Sequence, residues 1–355
     1  SRMMGAGVYD HGYILGYERL NDHLAEEDGP RHRLWRIRAK QIITATGSIE
    51  RPISFPSNDI PGVMLASAVR DYAVNFGVAT GNKIAVYTNN DDAYRTAITL
   101  NEVGVEVPII VDARGSGGGA LAERAKALGI RVENGKAISK VFGKKRVEAI
   151  SICEHKDSGK GNEKIACDCI AMSGGWSPVV HLYSHCGGKL KWDEKMALFK
   201  PDSSGKPTSH DGLPFVTAVG SANGFLLMQE VLKDAREGCL EVVEASGGKV
   251  KKESFKLIEQ EYENSLEAIW IAPQDADIKK RSKIWLDFQN DVKINDVELA
   301  AREGFESVEH TKRYTTLGMA TDQGKLSNIN GLAILSSSLG KEIPKVGTTT
   351  FRPPY

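Results

Sequence analysis

Gly47 and Gly220 are the positions in this chain best suited to let a ligand approach the backbone. Each ends a short apolar, β-branched run: Gln41-Ile-Ile-Thr-Ala-Thr46 before Gly47, and Phe215-Val-Thr-Ala-Val219 before Gly220. A buried parallel strand delivers its carboxyl end to a crevice in this way, and a residue without Cβ leaves room for a nucleotide. Ser221-Ala-Asn-Gly224 and a helical run to Gly238 follow the second glycine. The N–H groups at 222–225 would then offer a positive helix end to an anion. Ser221 and Asn223 are equally suited to cap that helix, and Leu226 and Met228 to pack in a core. A second donor-rich run is His310-Thr-Lys-Arg-Tyr-Thr315, beside the turn Gly318–Gly324 and Lys325. Arg and Lys donors with glycine N–H groups suit a phosphate, while the plainer reading is a solvated helix end. His181 and His185 stand i, i+4 near Cys186, a metal-ligand spacing with no third ligand beside it. No Ser/His/Asp order and no paired carboxylates mark a catalytic centre, so no catalytic residue and no metal site are assigned.

The elements that must position these residues follow from periodicity. Tyr13–Glu18 and Leu34–Ala39 alternate as two antiparallel strands and lead into the 41–46 strand. Met64–Phe76 has helical spacing. Residues 82–114 form the clearest βαβ unit: strand Lys83–Thr88, helix Asp91–Val103, strand Val105–Val111. Its first turn reads Thr88-Asn-Asn-Asp-Asp-Ala-Tyr94 and lacks the glycines that let a pyrophosphate approach. Asp91 and Asp92 would repel phosphates, so a Rossmann-like unit that holds no dinucleotide is expected. Ala120–Leu128 is helical, and Lys136–Cys153 with Lys164–Met172 reads as a meander returning to the first sheet. A helix at 225–237 should turn Leu227, Val231 and Leu232 inward, and Gly247–Ile269 reads as a polar tether. Strand Ile284–Gln289, helix Lys293–Arg302 and the flanks of the Gly318–Gly324 turn make a small α-rich module.

The 355 residues suffice for two or three cores, and Lys+Arg and Asp+Glu balance at 46 each. That balance gives no basic surface for nucleic acid or anionic membranes. No apolar run of about 18 residues is long enough for a membrane span, and Ser1–Gly5 is not a signal peptide. Five Cys without framework spacing favour a reducing, cytoplasmic setting. Cys167-Asp-Cys169 fits a buried strand better than half of a metal site. Both ends read as cuts within a longer polypeptide.

Four stretches carry a resemblance: Ala45-Thr-Gly-Ser-Ile-Glu-Arg-Pro52; Asn58-Asp-Ile-Pro-Gly-Val-Met-Leu65; Met172-Ser-Gly-Gly-Trp-Ser-Pro-Val-Val-His181; and Ser307-Val-Glu-His-Thr-Lys-Arg-Tyr-Thr315 with Thr321-Asp-Gln-Gly-Lys325. The chain resembles the central portion of the alpha subunit of heterotetrameric sarcosine oxidase. The fold implied is α/β. It comprises a disulfide-reductase-like dinucleotide-binding domain with an inserted Rossmann-like domain, then a small α-rich module resembling a cluster-free [2Fe-2S] ferredoxin domain. The implied division is 1–50 NAD-binding domain, 51–170 insertion, 171–246 return, 247–273 tether, 274–345 helical module at the subunit interface, and 346–355 linker to a folate-binding domain. Residues 274–355 contain no Cys, so a four-Cys cluster has no ligands there.

By the resemblance this chain holds NAD. FMN lies at the interface with a beta subunit that carries FAD and oxidises sarcosine, and gamma and delta subunits complete the assembly. The formaldehyde equivalent passes to tetrahydrofolate in a further domain, and hydrogen peroxide forms. The Gly-rich segment that cradles the NAD pyrophosphate would lie before Ser1, so this piece alone should be inactive. The cofactor residues implied are Gly5, Gly47, Gly220, Ser221, Leu226 and Met228 for NAD, and Arg313, Tyr314, Thr315 and Lys325 for FMN. The alternatives are an NAD(P)H-dependent FAD reductase, a related amine or proline dehydrogenase subunit, and a scaffold with an empty nucleotide site. The oxidised amine itself is not encoded in this piece.

Overall fold

A computed structural model describes residues 3–9, 12–21, 29–161, 163–249 and 266–348. In chain order the elements begin with β1 (Met3–Tyr9), β2 (Tyr13–Arg19), β3 (His32–Arg38), β4 (Ile42–Thr44) and β5 (Ser48–Glu50). Then come β6 (Val63–Leu65), α1 (Ala66–Phe76), β7 (Ile84–Thr88), α2 (Asp92–Glu102), β8 (Ile109–Asp112), α3 (Gly119–Ala127) and β9 (Arg131–Asn134). Three strands β10 (Lys136–Gly143), β11 (Val147–Glu154) and β12 (Glu163–Ala166) precede β13 (Cys169–Ser173), β14 (Trp176–Pro178) and α4 (His181–His185). The chain continues through β15 (Leu190–Asp193), β16 (Leu198–Pro201), β17 (Val216–Ala218) and α5 (Met228–Ala245). It closes with α6 (Ile278–Arg281), β18 (Trp285–Asp287), β19 (Val292–Lys293), α7 (Ile294–Arg302), α8 (Val308–Thr315), α9 (Asn328–Leu339) and α10 (Ile343–Val346).

The largest sheet is parallel, in the order β6-β13-β7-β8-β9. Its middle strands are buried along their whole length, as a sheet covered on both faces requires. Helices α1–α3 cover one face, where Val69, Tyr94, Ile98 and Ala125 pack on Ile84, Val86 and Ile110. The antiparallel sheet β10-β11-β12 covers the other, with Ile138, Val141 and Ile150 against Tyr87, Ile109 and Val111. One expectation changes here. Residues 164–172 do not return to the first sheet; β13 is an interior strand of the parallel sheet, between β6 and β7, and reaches past residue 170 to Ser173. Cys169-Ile-Ala-Met-Ser173 is buried at every position, which suits an interior parallel strand and not one face of a meander.

The tether also differs from expectation. Residues 250–265 lie outside the described residues, but 266–273 are packed on the insertion. Ile269 and Ala272 enter its core. The Asn89 amide donates to the Glu267 carbonyl at 2.8 Å, and Ala272 N–H to the Ser54 carbonyl at 2.9 Å.

The chain enters and leaves the insertion through the antiparallel pair β5 and β14. Two adjacent charged residues are buried at this crossing. The Arg51 guanidinium donates to the carbonyls of Gly174 and Ala197 and stacks over Trp270 at 5.6 Å. Glu50 accepts the N–H and hydroxyl of Ser67 at 2.8 and 2.6 Å. Burial, opposed in part by hydrogen bonds from Ser173 and Ser67, pushes the Glu50 carboxyl up to about 7. The unfolded chain takes up that proton only near 4.5. The stabilisation is therefore full below pH 4.5 and is lost as pH rises through 7. Denaturation across this range should show Glu50→Gln gaining about 3 kcal/mol on the parent at the alkaline end and nothing at the acid end. Parallel pH profiles for the two proteins would contradict this.

The last module has its own core of Ile284, Leu286, Val297, Leu317 and Leu335. Asn58 docks it to the insertion by accepting from Trp285 N–H and donating to its carbonyl, both at 2.9 Å. Asp287 staples its two halves. One carboxylate oxygen accepts Gln289 and Asn290 N–H groups at 2.9 and 3.0 Å, and the other accepts Gly318 N–H at 2.7 Å. Asp287→Ala leaves these donors without their acceptor and should cost about 3 kcal/mol, read by chemical denaturation. No helix among the described residues is long and apolar enough to cross a membrane.

Candidate functional site

Strands β4 and β17 pair in parallel, Ile42 with Val216 and Thr44 with Ala218. Residues 174 positions apart in the sequence thus place their carboxyl ends side by side, and Gly47 and Gly220 lie three and two residues past the two strand ends. Gly47 has φ +78°, and an added Cβ would meet nothing within 4 Å. Gly220 has φ +66° and lies against Val231 of α5. Both backbones favour glycine, and the space in front of Gly47 is open for a ligand. Gly5 lies in β1, paired with Tyr17 where the register slips.

The loop after Gly220 differs from the expected helix start. Residues 220–223 form a 3-10 turn that ends at Gly224, φ +94°. Gly224 N–H donates to the Ser221 carbonyl and Phe225 N–H to the Gly220 carbonyl, so these two are spent inside the turn. Helix α5 begins only at Met228, after an extended Leu227. Ser221 and Asn223 therefore do not cap it. Met228 is 60% exposed, which removes the core-packing reading for that residue, and Leu226 is half-buried.

A second site lies between α4 and the last module. A cleft of about 60 Å³ is walled by Ile49, Val180, His181, Phe199, Lys325 and Leu332. Burial first, and the Lys325 charge second, lower the His181 pKa to about 4, so its ring is neutral at physiological pH. Lys325 is half-buried and reaches back to the Asp322 carbonyl at 3.4 Å. The cleft thus joins one cation to an apolar wall and a neutral imidazole. The other donors named for a phosphate are elsewhere. Arg313 and Tyr314 are exposed on α8, with Tyr314 stacked on Phe305 at 4.6 Å. The Thr315 hydroxyl bonds the Thr311 carbonyl and Leu317 N–H. The turn glycines are also engaged: Gly318 N–H by Asp287 and Gly324 N–H by Asp322. His185 hydrogen-bonds the Val8 carbonyl through Nδ1, and no His/Cys/Asp/Glu group among the described residues could hold a metal.

The carboxyl end of the large parallel sheet is filled by the protein itself. Asp91, expected to repel a phosphate, pairs with Arg114 at 2.7 Å and accepts Gly118 N–H at 3.0 Å. Arg114 also pairs with Asp112, which accepts the Tyr94 hydroxyl at 2.8 Å. All three charged groups are buried. A pyrophosphate here would have to displace an internal ion pair.

Sequence spacing missed Phe199 and the pairing of His181 with Lys325, because their elements are far apart in the chain. It also missed Asp234 of α5, which accepts Gly220 N–H at 2.7 Å and the Asn223 side-chain amide at 3.0 Å. The partial signal was Val231 and Asp234 standing i, i+3 on one face of α5.

Residues 281–355 match the family model "Sarcosine oxidase A3 domain". The chain is 39% identical over its whole length to sarcosine oxidase subunit alpha of Rhizobium meliloti, covering 34% of that protein. It is 36% identical over 98% of its length to the corresponding subunit of Corynebacterium sp., covering 36%. It thus spans about a third of the length of these curated relatives. Among solved structures, L-proline dehydrogenase from P. horikoshii superposes with a TM-score of 0.67 at 20% identity, covering 99% of this chain and 62% of that one. Thioredoxin reductase of T. acidophilum gives 0.50 at 15% identity, covering 69% and 74%. These two likenesses fix the disulfide-reductase-like dinucleotide-binding fold.

Proposed function

Because sarcosine oxidase alpha subunits are homologous to the chain from end to end, and their A3 domain is present in it, we propose that it is the cofactor-binding centre of such a subunit. The observation that carries this reading is the parallel β4–β17 pair, which sets two glycine-ended strands side by side with open space at Gly47. NAD is the ligand proposed there, against Gly5, Gly47, Gly220, Ser221, Leu226 and Met228. In a flavin site of this fold an Asp commonly follows the strand-end glycine; Ser221 stands in that place here. The filled crevice of the insertion counts against a self-sufficient NAD(P)H-dependent FAD reductase, which needs a second dinucleotide site.

Lys325 is proposed to meet the phosphate of FMN at the boundary with a beta subunit, with His181 and Phe199 forming the wall beside it. Flavin and nicotinamide nucleotides supply the redox chemistry when bound. The chain's own part is to hold and orient them. The proposed setting is oxidative demethylation of sarcosine to glycine by an assembly with beta, gamma and delta subunits. FAD sits in the beta subunit, tetrahydrofolate receives the formaldehyde equivalent, and hydrogen peroxide is formed. The piece by itself is expected to be inactive. Co-expression with the beta subunit tests this: flavin should stay with the pair and be absent from the chain purified alone.

A further inference from the structure

Helix α5 carries a carboxylate that faces the loop and not the open crevice. Asp234 accepts Gly220 N–H through one oxygen at 2.7 Å and the Asn223 amide through the other at 3.0 Å. One turn earlier on the same face, Val231 lies where a Cβ on Gly220 would come within 3.1 Å. The 3-10 turn 220–223 is thus held at both ends by one side chain, while Gly220 and Gly224 keep left-handed backbones. We propose that Asp234 is the positioning residue of the nucleotide loop. It touches no ligand, and it fixes the angle at which Gly220 and Ser221 are presented. This rests on the nucleotide reading above.

Two consequences follow. The Gly220 N–H is spent on Asp234, so it does not serve a phosphate. Loop shape and nucleotide retention also depend on where α5 lies, through Val231 and Asp234 together.

The test uses the whole chain with its co-purifying subunits, and added NAD⁺ as the probe. Asp234→Ala should weaken NAD⁺ binding at least tenfold and speed backbone amide exchange at Gly220 at least tenfold. Asp234→Asn keeps one acceptor oxygen for Gly220 N–H, and its NH2 can donate to Asn223 Oδ1 once that amide turns over, so it should recover most of both. Asp202→Ala removes a comparable turn cap, on Ser204, and serves as the control for general destabilisation. It should leave NAD⁺ binding unchanged. NAD⁺ binding by Asp234→Ala equal to that of the parent would overturn the proposal, as would unchanged amide exchange in the loop. Equal loss in the Asp202 variant would reduce the role of Asp234 to ordinary stability. If the parent itself binds no NAD⁺, the nucleotide reading fails and this proposal falls with it. The exchange data would then still report whether the loop is pinned.

Discussion

Replacing Arg114 with methionine should destabilise the protein by about 3–5 kcal/mol, the largest effect expected of any single change here. Methionine fills much of the same volume, so the cost is electrostatic and not a cavity. The substitution leaves Asp91 and Asp112 buried at 2% and 0% side-chain exposure without the guanidinium that joined them. Neutralising the whole group should recover most of the loss, because a buried ionic set replaced by neutral groups of similar size is often close to neutral in stability. Urea denaturation of Arg114→Met and of the triple change Asp91→Asn, Asp112→Asn, Arg114→Met distinguishes these outcomes. Nucleotide retention should not follow the loss, since the network belongs to a different sheet from the β4–β17 pair. A stable single variant would show that the crevice is not held shut by charge.

Lys325→Met should lower FMN retention in the assembled complex about 30-fold. A charge-assisted hydrogen bond to a phosphate contributes roughly 2 kcal/mol. The fold should be little affected, because the contact of Lys325 within the chain is a 3.4 Å approach to the Asp322 carbonyl. FMN content per complex, measured after denaturation by separating FMN from FAD chromatographically, reads the effect directly. Arg313→Met is the informative partner. Its side chain is exposed on α8 and is not part of the cleft wall, so it should leave flavin content unchanged. The reverse ranking of the two variants would move the phosphate site to α8.

The strands were legible in sequence because period-two patterning and buried apolar runs are local signals. Tyr13–Arg19, Ile84–Thr88 and Ile109–Asp112 are examples. The two glycine-ended strands were legible as a pair through their matching composition, and they meet in register. The place of β13 was not legible. A five-residue buried run carries no mark of which sheet will receive it. The start of α5 was misjudged for a local reason: Gly224 in a left-handed backbone ends one turn before another begins, and composition does not report φ. The charge of Asp91 is met by Arg114, a partner invisible in sequence because it depends on β7 and β8 lying side by side. The cleft at His181 and Lys325 joins residues 144 apart, so its chemistry exists only after folding.

The strand pair is proposed to hold NAD, while flavin chemistry belongs with a partner. The most direct measurement purifies the chain with its co-purifying subunits, denatures it, and identifies the released nucleotides by mass spectrometry for each separated chain. NAD⁺ from this chain, with flavin arising only where a partner subunit is present, is the predicted result. FAD retained by this chain alone would contradict it and would favour a flavoprotein reductase.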